Sequence, residues 1–477
     1  MRDLRIVLLI IASLVSPSAG AHVFIRWTEP SIPPAKALGV QNLVITWTAP
    51  DNPLFQAAKR QGYRVYAEVT PAQAAAAARA SKSEGLAGII VAAPGPVSER
   101  TGAGSPDELI KSLRAEFPSL DVRLLEPGGK QPQMRGGIVV GKNGVLGVSS
   151  PTQQPWIDSN VALVRFANVY HPGETPLVDF TWNLIDPTEQ RYGPPAVDYE
   201  IAIAEAASFH ADLILPIHKN LQKDLAQRNP QAWKTWDGIL RYIRFYQPIA
   251  VNRTVHLLSN VGFTTNDYDA SYEAANLMAR HNIPFDVMMP GALAAKRLKD
   301  MALVVIFGPL DTAATGTVKN FAANGGTAVL VGQPEKYPWS SLQPASKNED
   351  TAIYLTGKGK IVEIAEPITD PEAFAKDVWR LLSTHQRQLI LWNALTTLAA
   401  AYQAGGSSVR LNLVNYSGNP LRVQARVKGA YSAVSYETPE RGSWASLKPV
   451  EQDGFTEFII PKFRVGTLVR LGEVGSR

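Results

Sequence analysis

Strand-like runs and helix-like stretches alternate from His22 to about Gln247, and this rhythm restricts the fold more than any other feature. VFIRW, NLVITW, YRVYAEV and LAGIIVAA are short, rich in β-branched and aromatic residues, and bounded by Gly or Pro. PPAKALGV, PLFQAAKRQG and PAQAAAAARASKSEG lie between them and read as helices, often opened by Pro. Strands spaced in this way run parallel and are joined by right-handed crossovers. DVRLLEP, GGIVVGKNGVLGVSS, PLVDFTW and ADLILPI bring the strand count to about eight, with further helices at DELIKSLRAEF, WIDSNVALVRFANVY and VDYEIAIAEAASF. Eight such units in roughly 225 residues is the size of a TIM-like (β/α)8 barrel. An open doubly wound sheet is the alternative, because periodicity does not report closure.

KNLQKDLAQRNPQAWKTWDGILRYIRFY supplies the last helices of this region, and near PIAVNR the chain restarts. TVHLLSNV, FDVMM, LKDMALVVIFG and TAVLVG are strands of a second, smaller α/β unit, with helices at ASYEAANLMARHN and TAATGTVKNFAANGG. This unit extends through KGKIVEIA and DPEAFAKDVWRLLST. From about residue 386 the pattern becomes VRLNLVNYSG, LRVQARVKG, AVSYETP and FTEFIIP, whose alternation and Gly, Pro and Asn turns indicate an antiparallel β-sandwich. The expected division is residues 22–250, 251–385 and 386–477.

Residues 1–21 stand apart. A basic start (MRDLR), the apolar run IVLLIIASLV and the small residues Ala19-Gly20-Ala21 form the pattern of a cleaved export signal, so the mature chain is expected to begin near His22, secreted or periplasmic. The run is too short for a permanent span, and Pro17 and Gly20 oppose a buried helix.

Composition narrows the chemistry. The 477 residues are 45% hydrophobic and 19% charged, which is the balance of folded domains. The net charge of +5 arises from scattered residues rather than a basic cluster, which argues against a nucleic-acid partner. With no Cys there is neither disulfide nor thiolate chemistry, and seven dispersed His without paired-ligand spacing argue against zinc. SNVGFTTNDYD has no glycine-rich phosphate cradle, so no cofactor is expected.

LKDMALVVIFGPLDTAATGTVKNFAANGGTAVLVG, a strand, loop and helix followed by a Gly-Gly-Thr turn into a strand, resembles the glutamine-amidotransferase-like trimerisation domain of certain bacterial β-galactosidases. VRLNLVNYSGNPLRVQARVKG similarly resembles the start of the β-domain that closes those chains. The resemblance implies a glycoside hydrolase barrel, then a flavodoxin-like domain, then a β-domain, with contacts between identical subunits through the second. It also implies an acid/base Glu after the fourth strand and a Glu on the seventh. Here the fourth strand ends IIVAAPG without a carboxylate, and PLVDFTW places Asp179 on the expected seventh. The amidotransferase nucleophile is a Cys, and this chain has none.

Barrel chemistry sits at the C-terminal strand ends. Those ends offer Glu68, Asp158 and Asp179 as acid/base or nucleophilic carboxylates, with Arg26, Trp27, Trp47, Trp156, Asn160, Trp182, Asn183 and His218 to contact substrate. Acids move protons, Trp stacks on the apolar face of a sugar ring, and amides bind hydroxyls, so the combination fits a carbohydrate. Two of the acids have a plainer explanation as well. Glu68 lies on the same strand face as Arg64 and pairs with it on that reading, and Asp158 or Ser159 serves as an N-cap. Asp179, flanked by Val178 and Phe180 in a strand, is costly to bury unpaired. Glu200 and Glu205 are read as a solvated helix face. The expected function is a secreted glycoside hydrolase acting on oligo- or polysaccharide, with a non-catalytic carbohydrate-binding or envelope protein as the alternative.

Overall fold

The computed structural model describes residues 23–93, 105–140, 145–149, 155–251, 256–265, 267–332 and 336–472. The expected export signal and its cleavage site lie outside them.

Seven parallel strands close into a barrel: β1 (Val23–Arg26), β2 (Asn42–Thr46), β3 (Arg64–Val69), β4 (Gly88–Ala92), β5 (Asp121–Leu125), β6 (Leu177–Val178) and β7 (Asp212–Pro216). Each strand pairs with its neighbours in chain order, and β7 returns to β1 with Phe24 opposite Ile214. The barrel is therefore closed, but among the described residues it has seven strands where about eight were expected. GGIVVGKNGVLGVSS accounts for the difference, because Gly137–Val140 and Leu146–Ser149 pair with each other antiparallel, outside the barrel. PLVDFTW is consequently the sixth strand, and its ladder ends at Val178, one residue before Asp179.

Alternation along each strand sorts the side chains. Phe24, Val44, Tyr66, Ile90, Leu125, Leu177 and Ile214, one from each strand, fill the interior as a single apolar layer. The intervening residues, among them Ile25, Leu43, Val65, Ile89, Val122 and Leu213, pack outward against the helices. Below the apolar layer, Arg123 pairs with Asp212 at 2.7 Å and Tyr66 donates to Asp121 at 3.1 Å. Gly88 leaves room for this arrangement, since a Cβ there would lie 2.6 Å from the Tyr66 ring and 2.3 Å from the Asp121 carbonyl oxygen.

A second sheet runs in the order Asp286–Met288, Val261–Thr264, Leu303–Phe307, Thr327–Val331 and Gly359–Ile364, all parallel. Thr351–Thr356 and Ser346–Lys347 extend its edge antiparallel. TVHLLSNV does not begin this sheet as one strand. His256–Leu257 instead pairs with Thr397–Gln403, and the parallel sheet starts at Val261. The remaining chain forms antiparallel sheets of six and four strands that share one core, with Leu411 and Leu413 from the first and Val423, Ala425 and Ile460 from the second. Among the described residues no helix is long and apolar enough to cross a membrane.

Candidate active site

Continuing each strand two residues past the apolar layer places Arg26 after Phe24, Glu68 after Tyr66 and Asp179 after Leu177, all at the C-terminal mouth. There they meet. Arg26 Nε donates to Glu68 Oε2 at 2.9 Å, and Nη2 donates both to Glu68 Oε1 at 2.7 Å and to Asp179 Oδ2 at 2.5 Å. The side chains are 19%, 15% and 23% exposed, so the cluster is largely desolvated yet reachable from the mouth. Burial opposes the guanidinium charge, but hydrogen bonds and charge from Glu68, then from Asp179, outweigh it and hold Arg26 above its ordinary pKa. Glu68 therefore pairs with Arg26 on β1 rather than with Arg64, which donates to the Tyr66 hydroxyl.

Several contacts fix this geometry. Gln222, on the Lys219–Ala226 helix, accepts from the Thr28 and Glu29 amides and donates to the Arg26 and Ile217 carbonyls, tying the ends of β1 and β7 together. Gly129, in the loop after β5, abuts Asp179 so closely that a Cβ would lie 1.9 Å from its carbonyl oxygen. Gln131 in the same loop accepts from the Asn183 amide at 2.8 Å.

Trp182, Asn183 and His218 stand around the same end of the barrel. Trp182 donates to the Pro216 carbonyl at 2.5 Å and meets Phe180 and Tyr199 edge-on at 4.7 Å. Tyr199 in turn accepts from the His218 amide. Asn183 is exposed, and its side-chain amide makes no hydrogen bond among the described residues. His218 caps the following helix, accepting from the Asn220 amide on Nδ1, which leaves the proton on Nε2. Burial, then the adjacent Lys219, lower its pKa from the ordinary imidazole value.

The other expected site residues lie elsewhere. Trp27 and Trp47 fall three residues beyond Phe24 and Val44 and so have outward parity. Trp27 is wholly buried, and Trp47 stacks on Phe55 at 5.6 Å. Both belong to the core between barrel and helices rather than to a sugar platform. Trp156–Asp158 is a strand paired with Gln133–Arg135, and the helix begins only at Val161. Asp158 is no N-cap, and both of its carboxylate oxygens are engaged within this ribbon. Its Oδ1 accepts from Trp156 Nε1, and its Oδ2 accepts from Gln133 Nε2 and Arg135 Nε. Asn160 is buried, gripping the Lys130 backbone through both side-chain atoms and donating to Glu205.

Two carboxylates read as solvated are in fact enclosed. Glu200 and Glu205 are each 3% exposed, and burial raises both pKa values to about 7. Glu200 is paired with Arg464, and Glu205 accepts from Tyr416 as well as from Asn160. Among the described residues no group of three or more His, Asp or Glu is arranged to hold a metal ion.

The closed parallel barrel, followed by further β-rich regions, resembles the fold of several solved glycosidases. No protein-family model matches this sequence, and no curated protein matches it. Among solved structures, the chain is similar to α-L-fucosidase isoenzyme 2 from Paenibacillus thiaminolyticus, with a TM-score of 0.56, 10% identity, and coverage of 95% of this chain and 99% of that one. A GH42 β-galactosidase from G. stearothermophilus gives the same values. The β-galactosidase from Rahnella sp. R3 follows at a TM-score of 0.55 and 10% identity, covering 96% of this chain and 99% of its own. At that identity the likeness is one of fold.

Proposed function

We propose that the chain is an exported glycoside hydrolase that cleaves oligo- or polysaccharide at the barrel mouth, with Glu68 and Asp179 as its carboxylate pair. The observation that carries this reading is the pair of carboxylates held on one guanidinium at the end where barrel chemistry occurs. Because both oxygens accept from Arg26 Nη2, those two atoms lie no more than roughly 5.2 Å apart, a close approach that favours the roughly 5–5.5 Å arrangement of retaining pairs. On this reading one carboxylate attacks the anomeric carbon. The other enters as the carboxylic acid, protonates the leaving oxygen, and then as the carboxylate takes a proton from the water that hydrolyses the glycosyl intermediate. Substrate entering between them displaces Arg26 from at least one, while Trp182 offers a ring face and Asn183 an amide to the sugar.

The proposal includes cleavage near Ala21, and three units at 22–250, 251–385 and 386–477. The second is a flavodoxin-like, amidotransferase-type domain serving subunit contacts, and the third is a β-sandwich. A second reading, a carbohydrate-binding protein without turnover, is favoured by one feature: Arg26 occupies the gap between the two carboxylates and engages both.

Purified mature protein tested on a panel of polysaccharides and aryl glycosides separates the two. The hydrolase reading expects E68Q and D179N each to lower kcat by roughly 10²–10⁴-fold with binding kept. Binding without turnover selects the second reading, and absence of both sinks the pair.

A further inference from the structure

Trp156 is half exposed, at 50%, although Trp is on average a highly buried residue. It is also rigid. Its indole N–H donates to Asp158 Oδ1 at 2.9 Å, and Asp158 is itself clamped by Gln133 and Arg135. The ring lines a groove of about 350 Å³ between the Gln133–Arg135/Trp156–Asp158 ribbon and the helices Tyr268–Arg280 and Pro371–Leu381. That volume is within the range of small-ligand sites. Leu277 and Pro371 add apolar lining, and Arg135, Arg280, Glu273, Asp370 and Glu372 add charged groups.

The polar groups narrow the ligand. Arg280 is engaged by the Pro155 carbonyl at 3.1 Å and by Glu372, and Arg135 through its Nε by Asp158; with Glu273, Asp370 and Glu372 on the same lining, carboxylates outnumber arginines and the groove does not favour an anion. Glu273, by contrast, is exposed and makes no hydrogen bond or ion pair among the described residues. A fixed aromatic face beside an unoccupied carboxylate acceptor suits a ring that is apolar on one side, carries hydroxyl donors at its edge and bears no negative charge. We propose that this groove is a second saccharide-binding site, for a neutral pyranose unit of an oligo- or polysaccharide, sharing none of its lining with the barrel mouth. The class of ligand rests on the carbohydrate reading of the barrel, and the groove's existence does not. Such a site would hold a long substrate to the molecule independently of cleavage.

The test uses the full mature chain and isothermal titration with hexasaccharides of galactan, glucan and mannan, with the acidic polysaccharide alginate as comparison. W156A is expected to bind the responsive neutral hexasaccharide roughly tenfold more weakly, with W156F between it and the parent. E273Q is expected to weaken binding less than W156A, and alginate is expected not to bind. An unchanged melting temperature in E273Q and W156F shows that a loss is local. The E68Q/D179N double variant separates the two proposals. If adding W156A to it weakens hexasaccharide binding by the same factor as W156A does in the parent, the groove stands even where no turnover is ever found. Hexasaccharide binding that W156A and E273Q leave untouched, or alginate bound as tightly as the neutral sugars, overturns the proposal. So does the absence of any hexasaccharide binding to the double variant.

Discussion

Arg26 decides the electrostatics of the mouth, and its removal is informative. R26M would leave Glu68 and Asp179 facing each other across a largely buried gap with no cation, which is far worse than never having built the cluster. The expected cost lies toward the lower end of the roughly 3–5 kcal/mol seen when one partner of a buried pair is deleted, since all three side chains retain some solvent. Urea denaturation at pH 7 measures it, and R26M/E68Q/D179N should recover most of the loss because no stranded charge remains. Gly129 is a second single-residue test. In G129A the new methyl must push Asp179 away, so saccharide affinity or kcat at the mouth is expected to fall. A G129A variant with unchanged kinetics would remove Asp179 from the site.

The helix Ala196–Ser208 carries Glu200 and Glu205 inside the protein, where burial raises both pKa values from the ordinary carboxylate range to about 7. A carboxyl whose pKa is higher folded than unfolded favours the folded state in its protonated form. That contribution is complete below the unfolded value, near 4.5, and is lost as pH rises through about 7. Melting temperatures from pH 5 to 8 should therefore fall more in the parent protein than in E205Q, which cannot ionise. Equal slopes would mean that Glu205 does not titrate in this window. The sequence did hold a signal for this burial. Every residue from Tyr199 to Ser208 is buried, and apart from the two acids and Ser208 the stretch is nearly all apolar, which is the pattern of a helix enclosed on all sides. Judging the acids by their charge alone hid it.

At the scale of the molecule, the C-terminal sheets complete the barrel's outer shell. Tyr416 and Arg464 satisfy Glu205 and Glu200, and Tyr402 and Asn412 both donate to the Ser208 carbonyl at the end of the same helix. His256–Leu257 crosses back to pair with Thr397–Gln403, so the last sheet begins with a strand from before the second. A chain ending at residue 385 would strand two buried acids and open the core, and it is expected to aggregate. Size-exclusion chromatography of residues 22–385 checks this, and a stable monomer of that fragment would show that the β-rich region is dispensable.

The order of elements, the parallel barrel, the change to antiparallel sheets and the Glu68 and Asp179 candidates were all legible in the chain, because hydrophobic period and turn residues are local properties. Alternation even carries the charged cluster at the mouth, since Arg26, Glu68 and Asp179 each follow an interior apolar residue by two. What that pattern lacked was the phase. Without knowing which alternate set fills the barrel, Trp27 and Trp47 look as available as Arg26, and a one-residue difference sends them to the opposite face. Closure, the seven-strand count, the salt bridge from Arg26 to both carboxylates and the enclosure of Glu200 and Glu205 join residues tens to hundreds of positions apart. Only the tertiary structure decides those, because a charge's partner is set by which strand ends and surfaces meet in space, and no local pattern records that meeting.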